Sequence, residues 1–223
     1  GQALPEVVED GATFLDNALK KAASAARATG VSVLADDSGL EVDALDGRPG
    51  VYSARFAAVQ AGADIVGDNS DVGDNNAALL KALEGVDADQ RRARFRCTLV
   101  VCGPLAAGPG CRMTEDGLPW RAFVGAAEGV IEREPSGEGG FGYDPLFRSL
   151  ELGRTFADAT REEKAAVSHR GRAFRGLIAT LRAGQTAREV ERAGLGEHHR
   201  LAERLVLAPL EQFGEPRAVR TAQ

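Results

Sequence analysis

The stretch VSVLADDSGLEVDALDGRPGVYSARF, residues 31–56, decides the fold class of this chain. Its first five residues, 31–35, are small and mostly apolar, and they predict a short buried strand. The sequence DDSG at 36–39 follows directly, and these residue types favour turns. We therefore expect the strand to end before this turn, with one or both of the carboxylates of Asp36 and Asp37 directed from the turn into a cleft.

A helix is predicted upstream of this strand, over residues 13–28. It begins with a Thr-x-x-Asp pattern typical of a capping box, and a stripe of Leu and Ala follows at helical spacing. Gly30 stands where a C-terminal cap is expected. Asn17 and Lys21 are four residues apart, so their side chains share one face of the helix.

Strand and helix patterns alternate through the rest of the chain, which indicates an α/β fold. The other predicted elements are a helix from Asp74 to about Gly85, a strand over 93–102, strands around 120–126 and 128–134, a tight loop at 137–145, and a helix from Ser168 to about Ala183. Residues 185–223 are rich in Arg, Glu, Ala and Leu, and we expect one or two amphipathic helices there.

Composition and charge exclude several classes of protein. The 223 residues carry a net charge of −6, unlike the basic surface of a general nucleic-acid binder. No apolar run approaches the roughly 20 residues that a membrane-spanning helix needs, and no signal peptide opens the chain. The three cysteines show no CxxC spacing, so we expect reduced, buried thiols in a cytoplasmic protein rather than disulfides or a zinc site.

Three short stretches could carry chemistry, and the first is DDSG at 36–39. Its carboxylates suit Mg²⁺, which prefers one or two carboxylates together with phosphate and water oxygens. One carboxylate could also take a proton from an attacking water. The alternative is a turn or a helix cap with no further role.

The second stretch, GGFGYD at 139–144, offers a backbone that can approach a ligand closely and a stacking face at Phe141. It lacks the pattern of a P-loop or a dinucleotide-binding fingerprint, so a plain hairpin loop is the alternative. The third stretch places Lys164, His169 and Arg170 within seven residues, near a helix N-terminus. These hydrogen-bond donors suit phosphate or the carbonyl oxygens of a base, and a solvated charged turn is the alternative.

Taken together, four stretches resemble the inosine/xanthosine triphosphate pyrophosphatase family, whose members hydrolyse deaminated purine nucleoside triphosphates. They are EDGATFLDNALKKA (9–22), LADDSGLEVDALDGRPGVYSARF (34–56), GGFGYDPLF (139–147) and TREEKAAVSHRGRAF (160–174). They follow the family's order and lie within about residues 5–183. The resemblance implies an α/β fold with a mixed, elongated sheet and flanking helices, two lobes around a central nucleotide cleft, and a homodimer.

The resemblance also implies a reaction and roles for individual residues. Water would attack the α-phosphate of ITP, dITP or XTP and release the nucleoside monophosphate and pyrophosphate, with Mg²⁺ as cofactor. Asp37 would be the general base and a metal ligand. Glu9 is the nearest candidate for the family's metal-binding glutamate, although Val8 could occupy the aligned position. The substrate-binding residues would be Lys21 at the triphosphate, Ser38 in contact with the substrate, Phe141 stacked on the purine, Gly142, Tyr143 and Asp144 shaping the pocket, and Lys164, His169 and Arg170 at the base.

Hydrogen-bond chemistry agrees with these roles. A 6-oxo purine presents an acceptor where adenine presents an amino donor, whereas Lys, Arg and protonated His only donate. A pocket of such donors would therefore accept inosine and xanthosine and leave the amino group of adenine facing other donors.

The sequence departs from the family in one large respect. The family's chains begin with a strand and a Ser/Thr-Gly-Asn-x-x-Lys loop that binds the triphosphate, and no Gly-Asn pair occurs here. We therefore expect a pyrophosphatase domain over 1–184 that is N-terminally incomplete, and a C-terminal helical extension over 185–223. A helix within 199–216 is expected to cover the surface that the missing element would leave bare. A truncated or non-catalytic nucleotide-binding paralogue is the alternative function.

Overall fold

The computed structural model describes residues 4–63, 69–193 and 205–207, with the backbone alone for 184–193 and 205–207. Its helices are α1 (Phe14–Thr29), α2 (Phe56–Gln60), α3 (Val72–Ala82), α4 (Arg161–Val167) and α5 (His169–Ala193). Its strands are β1 (Ser32–Val42), β2 (Arg92–Cys102), β3 (Arg112–Met113), β4 (Pro119–Ile131), β5 (Phe147–Ser149) and β6 (Leu205–Leu207). Within the described residues, no helix is long and apolar enough to cross a membrane.

All the described strands belong to one sheet. The strand order is β3-β4-β2-β1-β6, and β5 pairs with β4 outside this path. The long strands β1, β2 and β4 run antiparallel to their neighbours, whereas β6 lies parallel to β1. This mixed sheet with flanking helices confirms the predicted α/β class.

The two faces of the sheet are covered by different helices because side chains alternate along each strand. On one face, here named the α1 face, the alanines of α1 pack against residues that include Val33 and Ala35. On the other, the α5 face, Ala173 of α5 packs in a cluster with Leu34 and Leu99. Helix α5 therefore covers the face of the sheet that α1 does not, mainly over β2 and β4.

Two apolar clusters share the α5 face, and polar residues separate them on β1. Leu34 belongs to the cluster under α5, whereas Leu40 belongs to a second cluster that contains Phe147. Asp36 and Ser38 stand between these two leucines and point to the same face, since they follow at steps of two. The order of side chains along β1 thus places a polar cleft between two apolar lobes.

Strand β1 does not end before the DDSG sequence, so that prediction is wrong. It continues through Asp36 and Asp37 to Val42 in unbroken register with β2. The turn tendency of these residues is overridden because each carboxylate finds a partner on a distant helix. Arg170 of α5 bonds to Asp36, and Asn17 of α1 bonds to Asp37.

The two strands predicted around 120–126 and 128–134 form a single strand, β4, so that prediction is also wrong. Glycines inside this strand weaken its sequence pattern. Both are required by packing: a Cβ added at Gly125 would lie 2.0 Å from the His169 carbonyl oxygen, and one at Gly129 would lie 2.4 Å from the Phe147 ring.

The helix predicted over 13–28 is confirmed as α1, with its caps. The Thr13 side chain accepts from the Asp16 N–H, the Asp16 side chain accepts in return, and Gly30 ends the helix at φ 68°. Helix α3 begins two residues earlier than predicted because the Asp71 side chain caps it by accepting from the Gly73 N–H at 2.7 Å.

Helix α4 was not predicted, although its start carries a clear signal. Thr160 and Glu163 form a complete capping box at its N-terminus. Helix α5 begins at the predicted place, since the Ser168 hydroxyl oxygen accepts from the Gly171 N–H at 3.1 Å.

The predicted boundary at 184/185 lies within α5, which continues without a break to Ala193. The described part of the tail also contains β6, so the expected helix within 199–216 is wrong at Leu205–Leu207. These three residues pair with Ser32–Leu34 of β1, which brings part of the tail against the core. The rest of the tail, 194–204 and 208–223, lies outside the described residues.

Candidate active site

Asp37 lies on the α1 face, where helix α1 supplies its partners. Asn17 donates its amide N–H to Asp37 Oδ2 at 3.0 Å, and the Lys21 ammonium lies 3.8 Å from Asp37 Oδ1. Both helix residues point to the strand because they are four positions apart on one helix face. The Lys21 ammonium also donates to Glu9 Oε2 at 2.8 Å, so it bridges two carboxylates.

Burial changes the acidity of Asp37. Removal from water raises the pKa of this carboxyl to about 6, while the charge of Lys21 and the hydrogen bond from Asn17 oppose the shift. A carboxylate with a pKa close to neutrality accepts a proton from water more readily than an ordinary aspartate does.

Hydrogen bonds hold the segment before α1 against this site. Arg55 donates from Nη2 to the Glu9 carbonyl oxygen at 3.1 Å, and the Gly11 N–H donates to Asn17 Oδ1 at 2.8 Å. A Cβ at Gly11 would approach the same Asn17 oxygen to 2.6 Å, so a side chain does not fit there. These contacts hold the Glu9 carboxylate beside Lys21.

The donor set on the α1 face fits Mg²⁺. Within the described residues there is no group of three or more His, Cys, Asp or Glu that could hold a metal ion. Mg²⁺ does not need such a cage, because one or two carboxylates with phosphate and water oxygens satisfy it. Glu9 and Asp37 provide two carboxylates, and the Lys21 cation between them shows that this place favours positive charge.

Asp36, Ser38 and Arg170 meet on the α5 face. The Arg170 guanidinium donates to Asp36 Oδ2 from Nε at 3.1 Å and from Nη2 at 2.9 Å. The Ser38 hydroxyl donates to the same oxygen at 3.1 Å. The close approach of α5 that this requires is possible because Gly125 of β4 lacks a side chain.

The loop 139–145 is organised by one buried carboxylate. Asp144 is 1% exposed, and it accepts from the Phe141 N–H at 2.7 Å and from the Lys164 ammonium. Burial raises the pKa of Asp144, whereas the charge of Lys164 lowers it. The Lys164 nitrogen lies 4.7 Å from the Phe141 ring centre, within the range of a cation–π contact.

His169 and Tyr143 complete this side of the site. The His169 ring stacks on Phe95 with centroids 4.9 Å apart, and burial together with Arg170 and Lys164 lowers the pKa of His169 to about 3. The expectation of a protonated, purely donating histidine is therefore wrong, because the ring is neutral at physiological pH. Tyr143 donates its hydroxyl to the Ser53 carbonyl oxygen at 2.8 Å.

One pocket lies between the two lobes. Its lining residues are Ser38, Gly39, Ser53, Phe95, Phe141, Gly142, Tyr143, His169 and Arg170. Gly142 is tied to α3, since its carbonyl oxygen accepts from the Asn76 amide at 3.1 Å. The pocket has a volume of about 10 Å³, which is close to the space for a single water, and it is partly open to solvent.

The predicted site residues therefore form two groups on opposite faces of β1. Glu9, Lys21 and Asp37 lie on the α1 face, and the other predicted residues lie on or near the α5 face. No described strand pairs with the outer edge of β1 at 35–39, since β6 pairs only with Ser32–Leu34. A ligand that crosses this edge can reach both groups.

The resemblance assigned no role to three residues of the site, Asn17, Asp36 and Arg55. Asn17 had a usable signal, because it shares a helix face with Lys21. Asp36 had one as well, since a strand through DDSG directs neighbouring side chains to opposite faces. Arg55, which is 8% exposed, gave no local signal, because its partner Glu9 is 46 residues away in sequence.

Comparisons with known proteins agree on one family. The model of the Ham1 family matches residues 2–180. The chain is 53% identical over 170 residues to the dITP/XTP pyrophosphatase of Geobacter sulfurreducens, covering 76% of this chain and 75% of that protein. It is 51% identical over 176 residues to the dITP/XTP pyrophosphatase of Desulforamulus reducens, covering 79% of this chain and 77% of that protein. The solved Ham1 protein of Staphylococcus aureus superposes with a TM-score of 0.67 at 38% identity, covering 81% of this chain and 82% of that one.

Proposed function

Since the chain belongs to the Ham1 family, we propose that it hydrolyses the deaminated purine nucleoside triphosphates ITP, dITP and XTP to the nucleoside monophosphate and pyrophosphate. The observation that carries the proposal is the buried Asp37 carboxylate, whose pKa burial raises to about 6, next to the Lys21 cation. The names of the relatives, dITP/XTP pyrophosphatase, support the substrate class.

The proposed reaction begins with proton transfer to Asp37 from a water that attacks the α-phosphate. Asn17 holds Oδ2 of this carboxylate, which fixes the direction of the other oxygen. The Lys21 ammonium offsets the negative charge of the phosphates, and such preorganised charge is the main source of rate enhancement in phosphoanhydride cleavage.

Glu9 and Asp37 are the residues that we propose to hold Mg²⁺. The bound ion would supply charge neutralisation at the phosphate oxygens. The two-carboxylate donor set and the bridging Lys21 support this assignment.

Base recognition is assigned to the α5 face. Phe141 offers a ring on which the purine stacks, and Ser38, Gly142 and Tyr143 line the same pocket. Arg170 and Lys164 only donate hydrogen bonds, so they favour a 6-oxo group over the amino group of adenine. Neutral His169 can donate from one ring nitrogen and accept at the other, so the rejection of adenine rests on the two cations.

Domain organisation and partners belong to the same proposal. We assign the catalytic domain to 1–184 and an appended segment to 185–223, and the family match over 2–180 supports this division. The family resemblance supports a cytoplasmic homodimer, and the net charge of −6 supports the absence of a nucleic-acid partner. Sedimentation velocity of the full chain tests the dimer.

A pyrophosphate-release assay tests the function. Purified protein with dITP and Mg²⁺ should release pyrophosphate, and Asp37→Asn should reduce the rate by about 100-fold or more. ATP serves as the control substrate and should react far more slowly. Release of orthophosphate would contradict the mechanism, and dITP binding without turnover would favour the non-catalytic nucleotide-binding paralogue.

A further inference from the structure

Asp36 takes no part in the reaction proposed above, although it is buried and directly precedes Asp37. Its Oδ2 accepts two hydrogen bonds from the Arg170 guanidinium, at 3.1 and 2.9 Å, one from the Ser38 hydroxyl, at 3.1 Å, and a weaker one from the Cys97 thiol, at 3.9 Å. One carboxylate oxygen thus holds two of the residues that line the pocket.

The geometry of these bonds fixes how Arg170 faces the pocket. The guanidinium is planar and rigid, with five N–H donors in a fixed fork. Nε and Nη2 form the edge that Asp36 binds, so the direction of the opposite edge, which carries Nη1, is determined as well. Gly125 allows α5 to lie close enough to the sheet for this contact.

The charges around Arg170 agree with this arrangement. Although burial alone would lower the pKa of Arg170, the charge of Asp36 raises it, so the guanidinium stays protonated. The Cys97 thiol lies 3.9 Å from the same Asp36 oxygen, and burial raises the pKa of this thiol to about 12. The Cys97 thiol is therefore uncharged and donates weakly to the same Asp36 oxygen.

We infer that Asp36 is a positioning residue for base selection, which directs the free edge of the Arg170 guanidinium toward the 6-oxo group of the purine. The inference rests on the proposed function, and it adds a residue that touches neither substrate nor metal. A guanidinium that turns freely could avoid the amino group of adenine, whereas one that is held cannot. Selectivity thus depends on Asp36 as well as on Arg170.

A double-mutant cycle tests the inference with the full chain and Mg²⁺. The readout is the ratio of kcat/KM for dITP to kcat/KM for dATP, measured for wild type, Asp36→Ala, Arg170→Ala and the double variant. Asp36→Ala should lower the ratio by about 10-fold or more, mainly through KM for dITP. The double variant should match Arg170→Ala in this ratio, because the inference assigns the effect of Asp36 on base selection to its bond with Arg170.

Two further variants are included, one as a control and one as a replacement for Asp36→Ala. Asp116→Ala is the matched control, since it breaks an exposed pair in which Arg27 donates twice at 2.7 Å, and it should leave the ratio unchanged. If Asp36→Ala does not fold, the cycle is run with Asp36→Asn, which keeps the size of the side chain and removes its charge.

Each outcome decides the inference. An unchanged ratio in the Asp36 variant, an equal change in Asp116→Ala, or fully additive effects of Asp36 and Arg170 would overturn it and leave the proposed function standing. Failure of the wild type to release pyrophosphate from dITP would overturn the proposed function first, and the inference with it.

Discussion

Asp36 and Asp37 are consecutive residues of β1, yet their carboxylates bond to helices on opposite faces of the sheet. Asp36 accepts from Arg170 of α5, and Asp37 accepts from Asn17 of α1. The base side and the phosphate side of the proposed site are therefore joined by a single peptide unit. Any displacement of β1 at this point moves both sides together.

The adjacent lysines of α1 provide a matched test of the phosphate side. Lys21→Ala should lower kcat/KM for dITP by about 100-fold, because it removes the cation beside Asp37 and Glu9. Lys20→Ala should change it by less than about 2-fold, since Lys20 is exposed and pairs only at the surface with Asp10. Steady-state kinetics on both variants measure the difference, and equal losses would contradict the assignment of Lys21.

Asn17 should affect activity and stability together. Asn17→Ala removes the donor to Asp37 Oδ2 and the acceptor of the Gly11 N–H, so we expect a loss of about 1–3 kcal/mol in the free energy of unfolding. The value of kcat should fall by about 10-fold or more, because the carboxylate loses its fixed orientation. Urea unfolding and initial rates at saturating dITP measure the two effects. A stable variant with unchanged kcat would show that Asn17 does not orient Asp37.

Gly125 should tolerate no side chain. In Gly125→Ala the new methyl group would lie 2.0 Å from the His169 carbonyl oxygen and 2.6 Å from the Ala173 nitrogen, and these backbone atoms cannot rotate away. We expect a loss of stability of about 2–4 kcal/mol and displacement of α5. Gly176→Ala on α5 is the control, since its nearest neighbour is 3.7 Å away, and it should be neutral or stabilise by up to about 1 kcal/mol. Thermal and urea unfolding of the two variants test this contrast.

His169 should make stability depend on pH in the acid range. The unfolded histidine takes up a proton below its ordinary pKa of 6.5, whereas the folded one does so only near pH 3, so stability is lost as the pH falls through this window. Between pH 7.5 and 5 this group alone should cost on the order of 2 kcal/mol. His169→Gln should lose correspondingly less stability over the same interval. If wild type and His169→Gln lost the same stability between pH 7.5 and 5, the result would contradict a buried neutral imidazole.

Local signals were sufficient for the parts of the fold that depend on neighbours in sequence. The capping box of Thr13 and Asp16, and the glycine at position 30, gave the bounds of α1 to within one residue at each end. The course of β1 could not be predicted in this way, because what keeps Asp36 and Asp37 in a strand is their contact with α5 and α1. Stretches that resemble a known family supplied the candidate site residues, but their division between two faces follows only from a strand that passes through them.

The small volume of the pocket between the lobes has a consequence for how a nucleotide would bind. A pocket of about 10 Å³ has to widen before a purine fits, and the free energy of widening lowers the affinity of every nucleotide by the same factor. Under the proposed function, hydrogen bonds with Arg170 would offset this cost for a 6-oxo purine and not for adenine. The proposed site would then stay largely unoccupied by ATP and available to the rare deaminated substrate.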